Sequence, residues 1–138
     1  MKKLLNMALG YTVAAMVAGV FYREFTKFNN FTADTTLSVL HTHLFSLGMI
    51  IFLILALFAL NSNLETIKGF NKNVVVYNIG VIGASILMFV RGVIQVLSIE
   101  ISSAINASIS GISGIFHIIL AVGLIGIILS LRKIKKNN

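Results

Sequence analysis

The chain has 138 residues, a formal net charge of +7, and 57% hydrophobic against 11% charged residues. Its mean hydropathy is +0.97. An ordinary soluble domain carries about a quarter of its residues as charged types, so these proportions exclude one. The absence of cysteine removes disulfides, thiolate metal sites, iron–sulfur clusters and covalently attached c-type haem.

The first apolar stretch, within "MKKLLNMALGYTVAAMVAGVFY", predicts a membrane helix over about residues 4–22. It begins with lysines as a secretory signal does. Its apolar run is long, however, and no A-x-A site closes it, so a retained anchor is expected. Gly10, Ala14 and Ala18 recur on one stripe of this helix and read as a packing surface. The polar stretch "REFTKFNNFTADTT" leads into a second helix over about 36–60, with Asp34 or Thr35 as the candidate N-cap. "NSNLETIKGFNK" precedes a third over about 73–97, and "SIEISSAINAS" a fourth over about 108–131. Each is near the ~20 residues that cross the hydrocarbon core of a bilayer. None contains proline, which predicts straight helices. The expected fold is all-α: an integral membrane, antiparallel four-helix bundle forming a single domain over residues 1–138. The stretches lack the alternation of a membrane barrel.

Basic residues set the expected orientation. Lys2, Lys3, Lys68, Lys72, Arg132, Lys133, Lys135 and Lys136 fall on one side of such a bundle, Arg23 and Lys27 on the other. Both termini are therefore expected in the cytoplasm of a multi-pass protein of the inner (cytoplasmic) membrane. Charge placed at helix ends suits lipid headgroups, not nucleic acid.

With that orientation, the strongly polar residues of three helices gather in one slab. At about 1.5 Å per residue, His41 and His43 lie about 8 and 10 Å into the second helix from the outer side. His117 lies about 14 Å into the fourth from the same face, and Arg91 about 9 Å from the outer end of the third. A buried arginine near mid-membrane costs about 2.5–3.5 kcal/mol on insertion scales, so such residues usually face a partner or a cavity. Each sits on a stripe: Ser38, His41, Phe45 and Gly48; Gly80, Ala84, Met88, Arg91 and Gln95; Ser110, Gly114, His117 and Ala121. Residues two apart on a helix diverge by about 200°, so His41 and His43 cannot share one ion from an undistorted helix. Gly48 lies two turns from His41 on the same stripe, which selects His41 as the inward ring, paired with His117.

Neutral imidazole is a good axial ligand for haem iron. His41 and His117, the small residues Gly48 and Gly114, and Arg91 for the propionates (with Arg23 as a second cation) compose a candidate haem b site. Met88 is an alternative axial ligand. Electron transfer, or haem or gas sensing, would follow, with a redox partner in the first case. Zinc or copper on His41, His43 and His117, completed by Glu24, Asp34 or Glu100, is the competing arrangement, as a hydrolase or transporter. The third alternative is a structural or accessory subunit whose histidines hydrogen-bond between helices. Spans rich in glycine and alanine also predict a homodimer or larger assembly.

"GVFYREFTKFNNFT", "LHTHLFSLGMIIFL" and "SGISGIFHIILAVGLI" resemble, over nearly the whole chain, a family of small four-span bacterial membrane proteins of uncharacterised activity. The resemblance implies a bacterial membrane location. The "H-x-H-L…G" start of the second helix is similar to the haem-ligating helix of haem–copper oxidase catalytic subunits and nitric-oxide-reductase-like proteins. That likeness implies one of His41 and His43 as an axial ligand and His117 as its partner. This chain has a third of the spans and too few histidines for a copper centre, so oxygen reduction is not implied.

Overall fold

A computed structural model describes residues 1–134. Lys135 and Lys136 of the basic tail lie outside them. Four helices carry the chain: α1 (Lys2–Phe28), α2 (Leu37–Leu60), α3 (Phe70–Val96) and α4 (Ser103–Leu131), each long and apolar enough to cross a membrane. A short 3-10 turn, Leu64–Thr66, lies between α2 and α3. No β-strand occurs among the described residues.

The ends follow local chemistry. Gly69 takes φ +92° to turn the chain into α3, a conformation open to glycine because it lacks a Cβ. At the far end of α3, the amide of Ile99 donates to the carbonyl of Ile94 and that of Ser98 to Gln95, both at 3.1 Å, around Ser98 at φ 52°. This is a Schellman closure made without glycine. Ser102 caps α4 by accepting from the amide of Ile105 at 3.3 Å.

Close approaches define the packing. A Cβ on Gly80 or Gly83 would overlap Leu120 or Phe116 of α4, and one on Gly123 or Gly126 would overlap Tyr77 or Asn73 of α3. As α3 numbers rise the α4 partners fall, so the pair is antiparallel, joined by the small-residue packing favoured between apolar helices. Gly48 of α2 likewise receives the ring of Tyr11, and Gly19 of α1 lies against His41. The α1–α2 pair is thus antiparallel too. Where the pairs meet, Phe52 stacks on Tyr11 at 5.7 Å and meets Tyr77 edge-on at 6.0 Å. The upper end of the bundle carries the α1–α2 and α3–α4 connections.

Three local expectations are corrected. The "REFTKF" segment continues α1 to Phe28, and "SAINA" opens α4 at Ser103, because neither contains a proline or glycine to stop a helix. Of the small stripe on α1, Ala18 packs against the core, but Gly10 has open space around it and Ala14 is exposed. Leu4, Ala8, Tyr11 and Ala15 are buried instead, one step around the helix. Finally, α2 is not a regular α-helix throughout, since Leu44–Ile50 is π-helical. Its widened turn leaves the carbonyl of Leu47 to accept from the hydroxyl of Tyr77 at 2.7 Å.

Candidate functional site

The upper half of α2 is fixed against α3 by two threonines. The Thr35 hydroxyl donates to the carbonyl of Gly92 at 3.2 Å, and that of Thr36 to the carbonyl of Met88 at 2.7 Å. The Thr36 amide donates to Oε1 of Gln95 at 2.8 Å. Leu37 closes over Gly92, where a Cβ would overlap it. The N-cap of α2 is Thr36, not Asp34 or Thr35 as expected, although the Thr35 hydroxyl accepts from the Leu37 amide at 3.3 Å. This clamp sets the height and rotation of the two histidines one and two turns below. Only the presence of paired threonines ahead of a helix hinted at it in the sequence.

His43 is the ring that meets His117. Their ring centres are 6.1 Å apart with 63° between planes. The expected pairing of His41 with His117 is therefore corrected: His41 points to α1, where a Cβ added to Gly19 would stand 3.6 Å from its ring. The divergence of residues two apart on a helix, read correctly in the sequence, sends one imidazole to each neighbouring helix. Gly48 does not mark the stripe that faces α4. Gly48 is instead filled by Tyr11, and the π turn between the two breaks the assumed spacing.

The His117 ring is oriented by its own helix. Nδ1 lies 2.7 Å from the carbonyl oxygen of Ser113. A carbonyl only accepts, so Nδ1 carries the proton and the Nε2 lone pair is available to a ligand. Across from it, Nε2 of His43 is buried with no hydrogen-bond partner, as is Nδ1 of His41. Buried polar atoms are ordinarily paired, so each is a site of unmet demand. His117 itself is exposed, and Gly114, one turn above it, has nothing within 4 Å of where a Cβ would stand.

Arg91 reaches the same face of α4. Its guanidinium donates to the Ser110 hydroxyl at 2.6 Å and to Oδ1 of Asn106 at 3.2 Å. Those two bonds occupy two of the five guanidinium donors. Ser110 is seven residues from His117, about 10 Å along α4. A cavity of about 440 Å3, whose walls include Arg91, Gln95, Ser98 and Asn106, opens beside the guanidinium at the upper end.

The remaining candidates lie apart from this pair. Met88 packs against the apolar core. Arg23 is exposed, 3.8 Å from Glu24. Among the described residues no three histidine or carboxylate side chains gather where they could hold a metal ion. The closed zinc or copper set with Glu24, Asp34 or Glu100 is thus not assembled. Those carboxylates sit at helix ends and loops, whereas His43 and His117 face each other from α2 and α4 with His117 at the exposed surface.

The model of a family described as "Protein of unknown function (DUF2871)" matches residues 1–134. No curated protein and no solved structure matches.

Proposed function

We propose that this chain, which belongs to the DUF2871 family, is a multi-pass protein of the cytoplasmic membrane that binds haem b between His43 and His117 and transfers electrons. The observation that carries this reading is the facing pair of imidazoles from separate helices. Two imidazoles on opposite sides of one metal, at about 2 Å per metal–nitrogen bond, would hold their ring centres about 6 Å apart. The 6.1 Å observed is of that size. The Ser113 carbonyl fixes the His117 tautomer that exposes Nε2, the outer-sphere bond that accompanies most metal-bound histidines. Gly114 leaves room beside the ring. Arg91, about two turns above, supplies a cation for the propionates, already aimed by Ser110 and Asn106. Held by His43 and His117 together, haem would supply one-electron transfer rather than gas binding.

In this reading the upper end of the bundle faces the outside and both termini lie in the cytoplasm, as the lysine distribution favours. A homodimer would cover the upper half of α4, where Gly111 and Gly114 face open space and resemble the glycines that receive a neighbour lower down.

An absorption spectrum tests the proposal. Protein purified in detergent from haem-replete cells is expected to show a Soret band at one haem per chain or per pair of chains. His43→Ala and His117→Ala are each expected to abolish it while leaving helix content unchanged. Colourless wild-type protein, or an unaltered band in both variants, overturns the reading.

A further inference from the structure

The cavity of about 440 Å3 at the upper end of the bundle has a wall of two kinds: Arg91, Gln95, Ser98 and Asn106 on one hand, isoleucines on the other. Its polar part offers donors, because the nearby acceptors are engaged. Oε1 of Gln95 accepts from the Thr36 amide at 2.8 Å, and Oδ1 of Asn106 accepts from Arg91 at 3.2 Å. Both partners are N–H groups, so each side-chain amide must turn its oxygen toward them and keep its NH2 for something else. The carbonyls of Ile94 and Gln95 accept from the amides of Ile99 and Ser98 in the closure of α3. That of Asn106 accepts from the Ser110 hydroxyl at 3.0 Å. Arg91 makes both of its bonds through Nη2, which leaves the Nε and Nη1 hydrogens, three of its five donors.

Arg91 also lacks a counter-charge. The chain has four carboxylate side chains. Glu24 lies beside Arg23 and Glu65 beside the N-terminal amine, and among the described residues Arg91 forms no ion pair. A guanidinium inside a membrane helix ordinarily meets a partner. Here the anion must come from outside the chain.

Depth and the isoleucines narrow the occupant. The 27 residues of α3 span about 40 Å, close to a bilayer with its headgroup regions. Arg91 lies about 8 Å below the upper end of α3, near the edge of the hydrocarbon core. Ser98, Ile99 and Ile101, in the connection above, place the rest of the wall at headgroup level. An anion bound here has its charge beside Arg91 and carbon against the isoleucines. No carboxylate lines the cavity, so a choline or ethanolamine ammonium would meet only donors and another cation. Glycerol hydroxyls, which accept, would be matched. The volume lies within the range of ligand pockets, about 300–1,000 Å3.

We infer that this cavity binds the headgroup of an anionic phospholipid of the phosphatidylglycerol type, its phosphate on Nε and Nη1 of Arg91 and its glycerol beside Gln95, Ser98 and Asn106. The inference rests on the membrane placement proposed above but not on haem. The lining residues other than Arg91 all lie nearer the upper end than the Arg91–Ser110 bond, away from His43 and His117.

Recovery of the chain in the membrane fraction checks that placement separately. The binding test titrates full-length, delipidated protein in detergent with dioleoyl phosphatidylglycerol, dioleoyl phosphatidylcholine or inorganic phosphate, and counts bound lipid by native mass spectrometry. One saturable phosphatidylglycerol per chain is expected, with phosphatidylcholine at least threefold weaker and no displacement by millimolar inorganic phosphate. Arg91→Gln keeps a donor for Ser110 and is expected to weaken binding roughly tenfold or more, as loss of charge-assisted bonds does. Arg91→Lys should recover part of it. Ile109→Trp fills the cavity and is expected to abolish saturable binding with helix content unchanged, and Ile101→Trp is a second filling variant should the first fold poorly. Lys27→Gln removes an equal charge from the same end and should change binding less than twofold. His117→Ala should leave it intact, so failure of the haem reading and failure of this one are told apart. Equal binding of the two lipids, displacement by inorganic phosphate, filling variants that bind like wild type, or a loss in Lys27→Gln as large as in Arg91→Gln each overturn the inference.

Discussion

His43 and His117 face each other from α2 and α4 with ring centres 6.1 Å apart, while His41, two residues away, lies against Gly19 of α1. One short segment therefore sends imidazoles in two directions. His43 joins a pair that can share a ligand. His41 packs on a neighbouring helix with its Nδ1 unpaired.

That division makes His41 and His43 separable by mutation. His41→Ala removes a ring that packs on α1 and is expected to leave the Soret maximum and haem stoichiometry within a few per cent of wild type. Loss of the band in His41→Ala, with retention in His43→Ala, would reverse the assignment. The check is the optical spectrum of the two variants purified side by side.

Arg91 acts at longer range. Replacing it with Gln removes the charge but retains a donor for Ser110. A hydrogen bond to a charged group contributes about 1.5–3 kcal/mol, so haem affinity is expected to fall roughly ten- to a hundredfold. Arg91→Lys keeps the charge and should recover part of it. Haem transfer to an excess of an apo-globin measures the difference.

The glycines give a stability test that needs no ligand. Gly80→Leu and Gly123→Leu drive carbon into the backbones of Leu120 and Tyr77. Each is expected to cost about 1–3 kcal/mol or more, the range for overpacked cores. Gly10→Leu meets open space and should change stability by about 0.5 kcal/mol or less, as surface substitutions do. Equilibrium unfolding in mixed micelles compares the three.

The Tyr77 hydroxyl holds the Leu47 carbonyl exposed by the π turn. Tyr77→Phe leaves that acceptor unmatched and is expected to lower stability by about 0.5–1.5 kcal/mol. Hydrogen exchange should rise over residues 44–50 and stay near wild type in α4, which places the effect on the π turn.

The four helices and the gathering of His43, His117 and Arg91 near one end were legible in the sequence, because apolar runs of that length and rare polar residues inside them have few explanations. Which histidine faces α4 was not. That depends on the rotation of α2 about its axis, which the Thr35 and Thr36 bonds to α3 set. A glycine such as Gly48 makes room without recording for what, and its occupant, Tyr11, comes from another helix. The helical continuation to Phe28 is hidden by charges that mark a water boundary without ending a helix. The π turn carries no proline or other sequence mark at all.

That turn also divides α2 into two parts with separate angular settings. A π turn is one extra residue accommodated inside a helix. Deleting Ser46, an exposed residue within it, would restore ordinary winding and rotate whatever lies above by about 100° relative to what lies below. Phe52 and Leu55 could stay seated in the core while His43 swung away from α4. The direction in which this protein aims its imidazole is thus adjustable by the count of residues in one turn, with no change to either histidine.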